Sequence, residues 1–181
     1  MTDPKEDYYF NYVPQHEAGN PDINWKAYRT LLNVVLTFSA LDARLARFLA
    51  QWDLFPSAFN LLTMLSRAED KGMHLSRISE LLAVSRANVT GLVDVLARKG
   101  LVNRMPSETD RRVRLAVLTD KGHALIQEIL PKYYQLNQAL AVHMDEDESQ
   151  VLIKALSKIR SAIGPEPESE PSADEVASTA K

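Results

Sequence analysis

Apolar residues recur at steps of three and four over most of the chain, which is the spacing of amphipathic helices. The first such stretch runs from about residue 24 to residue 50. A second helix is predicted to begin at Pro56, because proline suits the first turn of a helix, and to end at Lys71 and Gly72. Helices therefore dominate the first part of the chain.

The next two helices are short and are joined by a tight turn. The third is predicted over about 76–83, with Ser76 as its N-cap. Ser85 is predicted to cap the fourth helix, which runs to Lys99 and is ended by Gly100. The residues predicted to face inward from these two helices are Ile78, Leu81, Leu82, Val89, Leu92, Val93 and Leu96. Two helices around such a turn indicate a helix-turn-helix.

A hairpin follows the fourth helix. One extended segment covers 101–104, and the chain returns through 111–118 after a polar tip. In the returning segment, three apolar residues alternate with three others: Val113, Leu115 and Val117 with Arg112, Arg114 and Ala116. This period of two predicts a half-buried strand whose inward side carries the first three residues. A hairpin directly after a helix-turn-helix indicates a wing.

Two longer helices complete the predicted core. Thr119 is predicted to cap a helix over about 120–142, with a kink at Pro131. Asp145, followed three residues later by Glu148, predicts the start of the last helix. The apolar residues of that helix are Leu152, Leu156, Ile159 and Ile163. The first and last helices are too apolar for a monomer to cover, which favours an oligomer.

Charge is distributed unevenly along the 181 residues, although the formal net charge is only −3. Residues 1–22 and residues 164–181 each carry a net charge of −4, whereas residues 71–114 carry nine basic and four acidic side chains, a net charge of +5. A local basic surplus is typical of proteins that bind polyanions such as nucleic acids. An ordinary solvated charged surface is the other interpretation.

The composition excludes several classes of protein. Cysteine is absent, which excludes disulfide scaffolds, thiolate zinc sites, iron–sulfur clusters and thiol-based redox sensing. No apolar run approaches the ~18 residues of a membrane span, and the N-terminus lacks the pattern of a secretory signal. We therefore expect a cytoplasmic protein with no membrane partner. The acidic, proline-rich residues 164–181 are predicted to be disordered.

The exposed side of the fourth helix supplies candidate DNA contacts. The residues opposite its apolar face are Ala87, Thr90, Gly91, Asp94 and Arg98. Small residues at positions 87 and 91 allow the helix backbone to approach base edges in the major groove. Thr90 can contact a base, and Asn88 on the flank of the helix can pair with adenine. Ser85 and Arg86, at the helix start, are placed to bind phosphates.

Two residues of this helix allow two interpretations each. Gly91 costs the helix about 1 kcal/mol relative to alanine, so either close approach to DNA or tight packing against a neighbouring helix must favour it. Asp94 would repel phosphates, so it either accepts a hydrogen bond from cytosine or forms an ion pair with Arg98, four residues later. We favour DNA approach for Gly91 and the ion pair for Asp94.

The hairpin offers a second contact with DNA. Arg111 and Arg112 border its polar tip, and an arginine on a thin hairpin can enter the narrow minor groove, where negative potential is concentrated. Asp110 is placed to hold such an arginine by a bidentate contact. Ordinary surface arginines are the other interpretation, but the position of the hairpin after a helix-turn-helix favours DNA.

These segments resemble the MarR family of bacterial winged-helix transcription regulators. The resemblance runs from about residue 30 to residue 160. It is carried by residues 81–96 and 99–104, by Asp110-Arg111-Arg112 and by Leu118-Thr119-Asp120-Lys121-Gly122. The last two segments are similar to the wing signature of the family, Asp-Arg-Arg followed by Leu-Thr-x-x-Gly. His74 departs from the family pattern, in which a helix-capping threonine is common at that position.

The resemblance implies a mainly α winged helix-turn-helix fold with about six helices and a wing of two or three strands. It also implies a homodimer with interleaved first and last helices, a pseudo-palindromic operator in double-stranded DNA, Arg112 in the minor groove, and repression. A small aromatic or anionic effector would release the operator, although we name no residues that bind it. The implied domains are an N-terminal extension (1–22), a dimerisation helix (23–55), the winged DNA-binding lobe (56–118), C-terminal dimerisation helices (119–163) and the acidic tail (164–181).

Functions of other classes have weaker support in the sequence. No phosphate-binding loop, nucleophile elbow or dinucleotide fingerprint is present, so we expect no enzymatic activity and no cofactor. The four histidines, His16, His74, His123 and His143, show no metal-ligand spacing, but a metal-responsive regulator of the same fold stays open because ligands can converge across a dimer. A winged helix that binds only protein is the third alternative, and it predicts that Arg112→Ala leaves function intact.

Overall fold

The computed structural model of the chain describes residues 4–16, 20–68, 72–106 and 114–164. The predictions for Asp110, Arg111 and Arg112, and for residues 165–181, lie outside the described residues. Within the described residues, all six predicted helices are present, and a short helical segment precedes them. The prediction of a mainly helical protein with a small sheet is therefore confirmed.

The N-terminal extension is helical and contacts the first long helix. The helical elements in this part of the chain are α1 (Pro4–Asp7), a π-helical stretch (Tyr8–Tyr12), α2 (Val13–His16) and the long α3 (Trp25–Leu49). Arg29 of α3 lies over the ring of Phe10, with its Cζ atom 5.8 Å from the ring centroid. The extension therefore packs against this chain's own α3.

Five further helices follow in the predicted order. They are α4 (Pro56–Arg67), α5 (Leu75–Leu82), α6 (Arg86–Arg98), α7 (Asp120–Ala141) and α8 (Glu146–Ile163). The residues up to Gln127 form one compact unit, and the residues from Glu128 onward form a second. The helix-turn-helix and the sheet both belong to the first unit.

Polar side chains cap the last two helices as predicted. Thr119 Oγ1 accepts a hydrogen bond from Gly122 N at 3.0 Å at the start of α7. Asp145 and Glu148 form a reciprocal capping box at the start of α8, with N···O distances of 2.8 and 3.0 Å. Each cap satisfies a backbone donor that the first helical turn leaves free, and this sets where the helix starts. Pro131 lies inside α7, and the kink there stays a prediction.

Three short antiparallel strands form one sheet in the order β1-β3-β2. They are β1 (Met73–His74), β2 (Val102–Pro106) and β3 (Arg114–Leu118). β2 and β3 form the predicted hairpin, and Pro106 lies opposite Arg114 in their register. β1 has only two residues, so it is too short for an alternating pattern to reveal it in the sequence.

The buried side of β3 is the opposite of the predicted one. Ala116 and Leu118 are buried, whereas Leu115 and Val117 are only half-buried. β3 is the central strand and packs against α4 and α5, so its helix-facing side is buried whichever residues it carries. A small side chain such as that of Ala116 allows helices to pack closely on this side.

The start and the inner face of α5 also differ from the prediction. α5 begins directly after His74, which is its N-cap, so Ser76 lies in the first turn and is not the cap. The pairing of His74 with Leu115 holds the chain extended up to that point. Ile78 is buried, but Leu81, predicted to face inward, is 49% exposed. It lies about 60° around the helix from Ile78, at the edge of the buried stripe.

Candidate nucleic-acid interface

The turn between α5 and α6 is held by an unusual backbone conformation and by two hydrogen bonds. Ala83 has φ 52° and ψ 48°, the left-handed conformation that glycine usually occupies at the end of a helix. Val84 N donates to Ser79 O at 3.2 Å, and Ser79 Oγ donates back to Val84 O. These bonds fix the direction in which α6 leaves the turn.

α6 is anchored on one face and exposed on the other. Ser85 caps the helix as predicted, because its Oγ accepts a hydrogen bond from Asn88 N at 3.2 Å. Val89, Val93 and Leu96 are fully buried, as predicted, and Leu92 is half-buried. These four residues anchor one face of the helix in the core, and the opposite face lies in solvent.

The predicted DNA contacts of α6 lie on its exposed side. Seven of the eight residues predicted on this helix and its cap are exposed: Ser85, Arg86, Ala87, Asn88, Thr90, Gly91 and Arg98. The eighth, Asp94, is half-buried. The first turn of a helix has backbone N–H groups without an intrahelical partner, of which Asn88 N is bonded to Ser85 Oγ, and the helix dipole adds positive potential there. This arrangement is suited to binding a phosphate.

Gly91 is not required by packing within the described chain. A Cβ atom built on Gly91 would have no described atom within 4 Å, apart from the backbone of its own helix turn and its chain neighbours. Its φ angle is not in the positive range, so the backbone conformation does not require glycine either. A neighbouring helix of the described chain is therefore not the reason for this glycine. Close approach to DNA, the other interpretation of Gly91, stays a prediction.

Asp94 does not pair with Arg98, so that prediction is wrong. Its Oδ1 atom lies 2.8 Å from Nη2 of Arg104, on strand β2. The same nitrogen of Arg104 donates a hydrogen bond to the backbone carbonyl of Thr90 at 2.9 Å. A pair of residues four apart on an exposed helix gains only about 0.3–0.5 kcal/mol, whereas Arg104 offers two hydrogen bonds from one guanidinium.

Several basic side chains of the winged DNA-binding lobe form ion pairs with carboxylates. Lys99 Nζ lies 2.6 Å from Asp53 Oδ2, and Arg77 Nη1 lies 2.8 Å from Glu80 Oε2. Arg86, Arg98 and Arg114 are exposed and form no ion pair with an acidic residue in the described ranges. Among the described residues of the lobe, positive charge available to a polyanion therefore lies at both ends of α6, on β3 and at Arg67, which is exposed at the end of α4.

The wing is described only at its base. The register of β2 and β3 continues as far as the pair of Pro106 and Arg114, and residues 107–113 connect these two positions. Asp110, Arg111 and Arg112, the predicted wing contacts, belong to this connection and lie outside the described residues. Their roles stay predictions.

Arg104 is the residue of this region that sequence reasoning missed. It lies on a strand, ten positions after Asp94, and no periodicity links a strand residue to a particular helix residue. The surplus of arginines after α6 was a signal, but it did not show which arginine faces which carboxylate. The pairing of Arg104 with Asp94 depends on the tertiary contact between β2 and α6.

Two further features are absent from the described residues. None of the described helices is long and apolar enough to cross a membrane. The described residues contain no group of three or more histidine and acidic side chains that could hold a metal ion.

Known proteins resemble this chain in sequence. The sequence profile of the MarR family matches residues 54–113. PrsX, an HTH-type transcriptional regulator of Escherichia coli, is 30% identical over 118 residues, which cover 65% of this chain and 70% of PrsX. YetL, an HTH-type transcriptional repressor of Bacillus subtilis, is 23% identical over 150 residues, which cover 83% of this chain and 90% of YetL.

A solved structure resembles the chain in fold. The structure of S. aureus MepR in complex with DNA aligns with a TM-score of 0.68 at 22% identity, covering 75% of this chain and 97% of MepR. At 22% identity, the structural similarity shows that this chain and MepR share a fold. The family profile covers the helix-turn-helix and the base of the wing, and the match with PrsX extends over most of that relative. The chain therefore belongs to the MarR family of transcription regulators.

Proposed function

We propose that the protein is a repressor that binds a specific double-stranded DNA operator as a homodimer. The observation that carries the proposal is the exposed N-terminal half of α6, which is anchored from its other face and displays Arg86, Asn88 and Thr90. A helix presented in this way can enter the major groove, while its N-terminus binds a phosphate. The DNA complex of MepR and the repressor activity named for YetL support the proposal.

The homodimer rests on two helices that the single chain leaves largely uncovered. α3 has 25 residues and buries only Leu49, and none of the 18 residues of α8, all of which are described, is buried. The large apolar side chains exposed on these helices are Leu31, Val35, Phe38, Leu41, Val151, Leu152, Ile153 and Ile163. Most of the stability of a helix in a protein comes from packing of its apolar face, so a second copy would cover these side chains.

Two-fold symmetry would then determine the form of the operator. Each subunit would place one α6 in a major groove, and the two helices would read half-sites about one helical turn apart. Arg112, oriented by Asp110, would enter the adjacent minor groove. A pseudo-palindromic operator follows from this arrangement.

Release by a small aromatic or anionic ligand is the regulatory part of the proposal. Such a ligand would dissociate the operator by binding more tightly to dimers whose two α6 helices lie at a spacing that DNA does not accept. A ligand with equal affinity for both spacings would change nothing. A screen for effectors should therefore measure operator release rather than ligand binding alone.

Fluorescence anisotropy with short duplexes that tile the region upstream of the gene tests DNA binding. We expect one tile to bind more tightly than its neighbours, and log affinity to fall with log salt concentration by about 0.9 for each phosphate contact. Equal binding to all tiles would leave only a non-specific basic surface. Absence of binding to every tile at low salt would contradict the proposal.

Arg112→Ala tests the wing contact on the selected tile. The loss of hydrogen bonds from a charged group costs about 1.5–3 kcal/mol, so we expect roughly a 10- to 150-fold loss of affinity. Lys154→Ala, which removes one exposed positive charge from α8 about 160° around the helix from Leu152, is the charge-matched control. Unchanged binding by Arg112→Ala would refute the minor-groove role of Arg112.

Gly91→Ala is expected to have opposite effects on stability and on DNA binding. An alanine inside a helix is about 1 kcal/mol more favourable than glycine, and its Cβ meets no described atom, so the thermal midpoint should rise. In the proposed complex the added methyl group would lie between the helix and the groove, and we expect about a tenfold loss of operator affinity. A more stable variant with unchanged operator affinity would show that the DNA does not approach Gly91.

A further inference from the structure

Arg104, on strand β2 of the wing, contacts helix α6. We propose that it is a positioning residue for operator recognition, which it supports by holding α6 at a fixed orientation relative to β2 rather than by touching DNA. The proposal rests on the proposed function, because it concerns how α6 is held for reading an operator.

The geometry of the contact carries the proposal. Nη2 of Arg104 lies 2.8 Å from Asp94 Oδ1 and 2.9 Å from the backbone oxygen of Thr90. Nη2 has two hydrogens, so it can donate one to each acceptor. The two acceptors belong to residues one helical turn apart on α6, so one nitrogen of Arg104 contacts two positions of the helix.

Each end of this contact is fixed by other interactions. In the register of the sheet, Arg104 is opposite Ala116, which is fully buried on the central strand β3. On the helix side, Val89 and Val93 are fully buried next to the two acceptor residues. A strand paired within the sheet and a helix anchored by buried residues are thus joined at Thr90, the residue proposed to contact a base.

The contact also accounts for a carboxylate on the DNA-facing side of α6. An unpaired Asp94 would repel phosphates, but its charge is matched by Arg104, and the two side chains are 49% and 31% exposed. The pair as a whole adds no net charge to the interface. Arg104 is therefore not available as a free phosphate ligand, unlike Arg86 and Arg98.

The test compares specific with non-specific binding in full-length Arg104→Ala, measured over a series of salt concentrations. The duplexes are the tile that wild type selects and a scrambled duplex of equal length. We expect affinity for the selected tile to fall about tenfold more than affinity for the scrambled duplex, because both duplexes meet the unpaired Asp94 but only the selected tile depends on the orientation of α6. Arg104→Lys, which keeps the charge but loses the planar fork, should recover only part of the loss.

Other outcomes separate the possible roles. A salt slope that falls by about 0.9, with equal losses on both duplexes, would show that Arg104 contacts a phosphate and would overturn the proposal. Unchanged binding to both duplexes would overturn it as well. If Arg104→Ala does not fold, Asp94→Asn removes the charged acceptor while keeping its shape, and we expect the same selective loss. If the wild-type protein bound all tiles with equal affinity, the result would instead refute the proposed function.

Discussion

Phe38→Asp is expected to split the proposed homodimer and to abolish operator binding. Phe38 is 67% exposed on α3 of the single chain, so an aspartate there leaves the isolated subunit little changed. In the dimer it would place an unpaired carboxylate in an apolar interface once in each subunit, which costs several kcal/mol. We expect the dimer dissociation constant to rise at least about 100-fold. Sedimentation equilibrium should then report 20.3 kDa instead of twice that mass.

Ala40→Asp is the matched control for this substitution. Ala40 is exposed on the same helix and lies about 160° around it from Phe38, so the new charge stays away from the apolar face. We expect Ala40→Asp to remain dimeric and to bind the operator like wild type. A dimeric Phe38→Asp variant with normal operator affinity would refute an interface on this face of α3.

Gly122→Ala is expected to destabilise the fold strongly. A Cβ atom on Gly122 would overlap the backbone oxygen of Leu101 and would lie 3.0 Å from Leu118 Cδ2. The same oxygen accepts a hydrogen bond from Thr119 N at 3.1 Å, and Thr119 Oγ1 donates to Gly100 O at 2.7 Å. Relief of the overlap must move α7 away from these bonds, so we expect a loss of about 3 kcal/mol or more.

Thermal unfolding at a fixed protein concentration measures this loss. For a domain of this size, 3 kcal/mol corresponds to a fall of about 6–12 °C in the thermal midpoint. Gly91→Ala is the matched control, because it makes the same change inside a helix where the added Cβ meets no described atom. The two variants should move the midpoint in opposite directions. A Gly122→Ala variant as stable as wild type would show that α7 is not held against Leu101 in solution.

Local sequence signals were sufficient for the order of the helices, for most helix starts and for the exposed side of α6. The caps at Ser85, Thr119 and Asp145 act within one turn of the chain, so the residues that set each helix start are neighbours in sequence. The apolar spacing of Val89 and Val93 likewise determines which side of α6 is buried, and therefore which side can meet DNA. Such signals need no knowledge of the rest of the fold.

The sequence by itself determined the order of elements, most helix starts and the set of exposed residues on α6, because these depend on contacts between near neighbours. Only the tertiary structure decided that Asp94 pairs with Arg104, that the Ala116 side of β3 is buried and that α5 begins after His74. Periodicity shows which residues of one element share a face, but it does not show which element that face meets. Burial and the hydrogen bonds between different elements depend on residues that are distant in sequence. Those residues become neighbours only once the chain has folded.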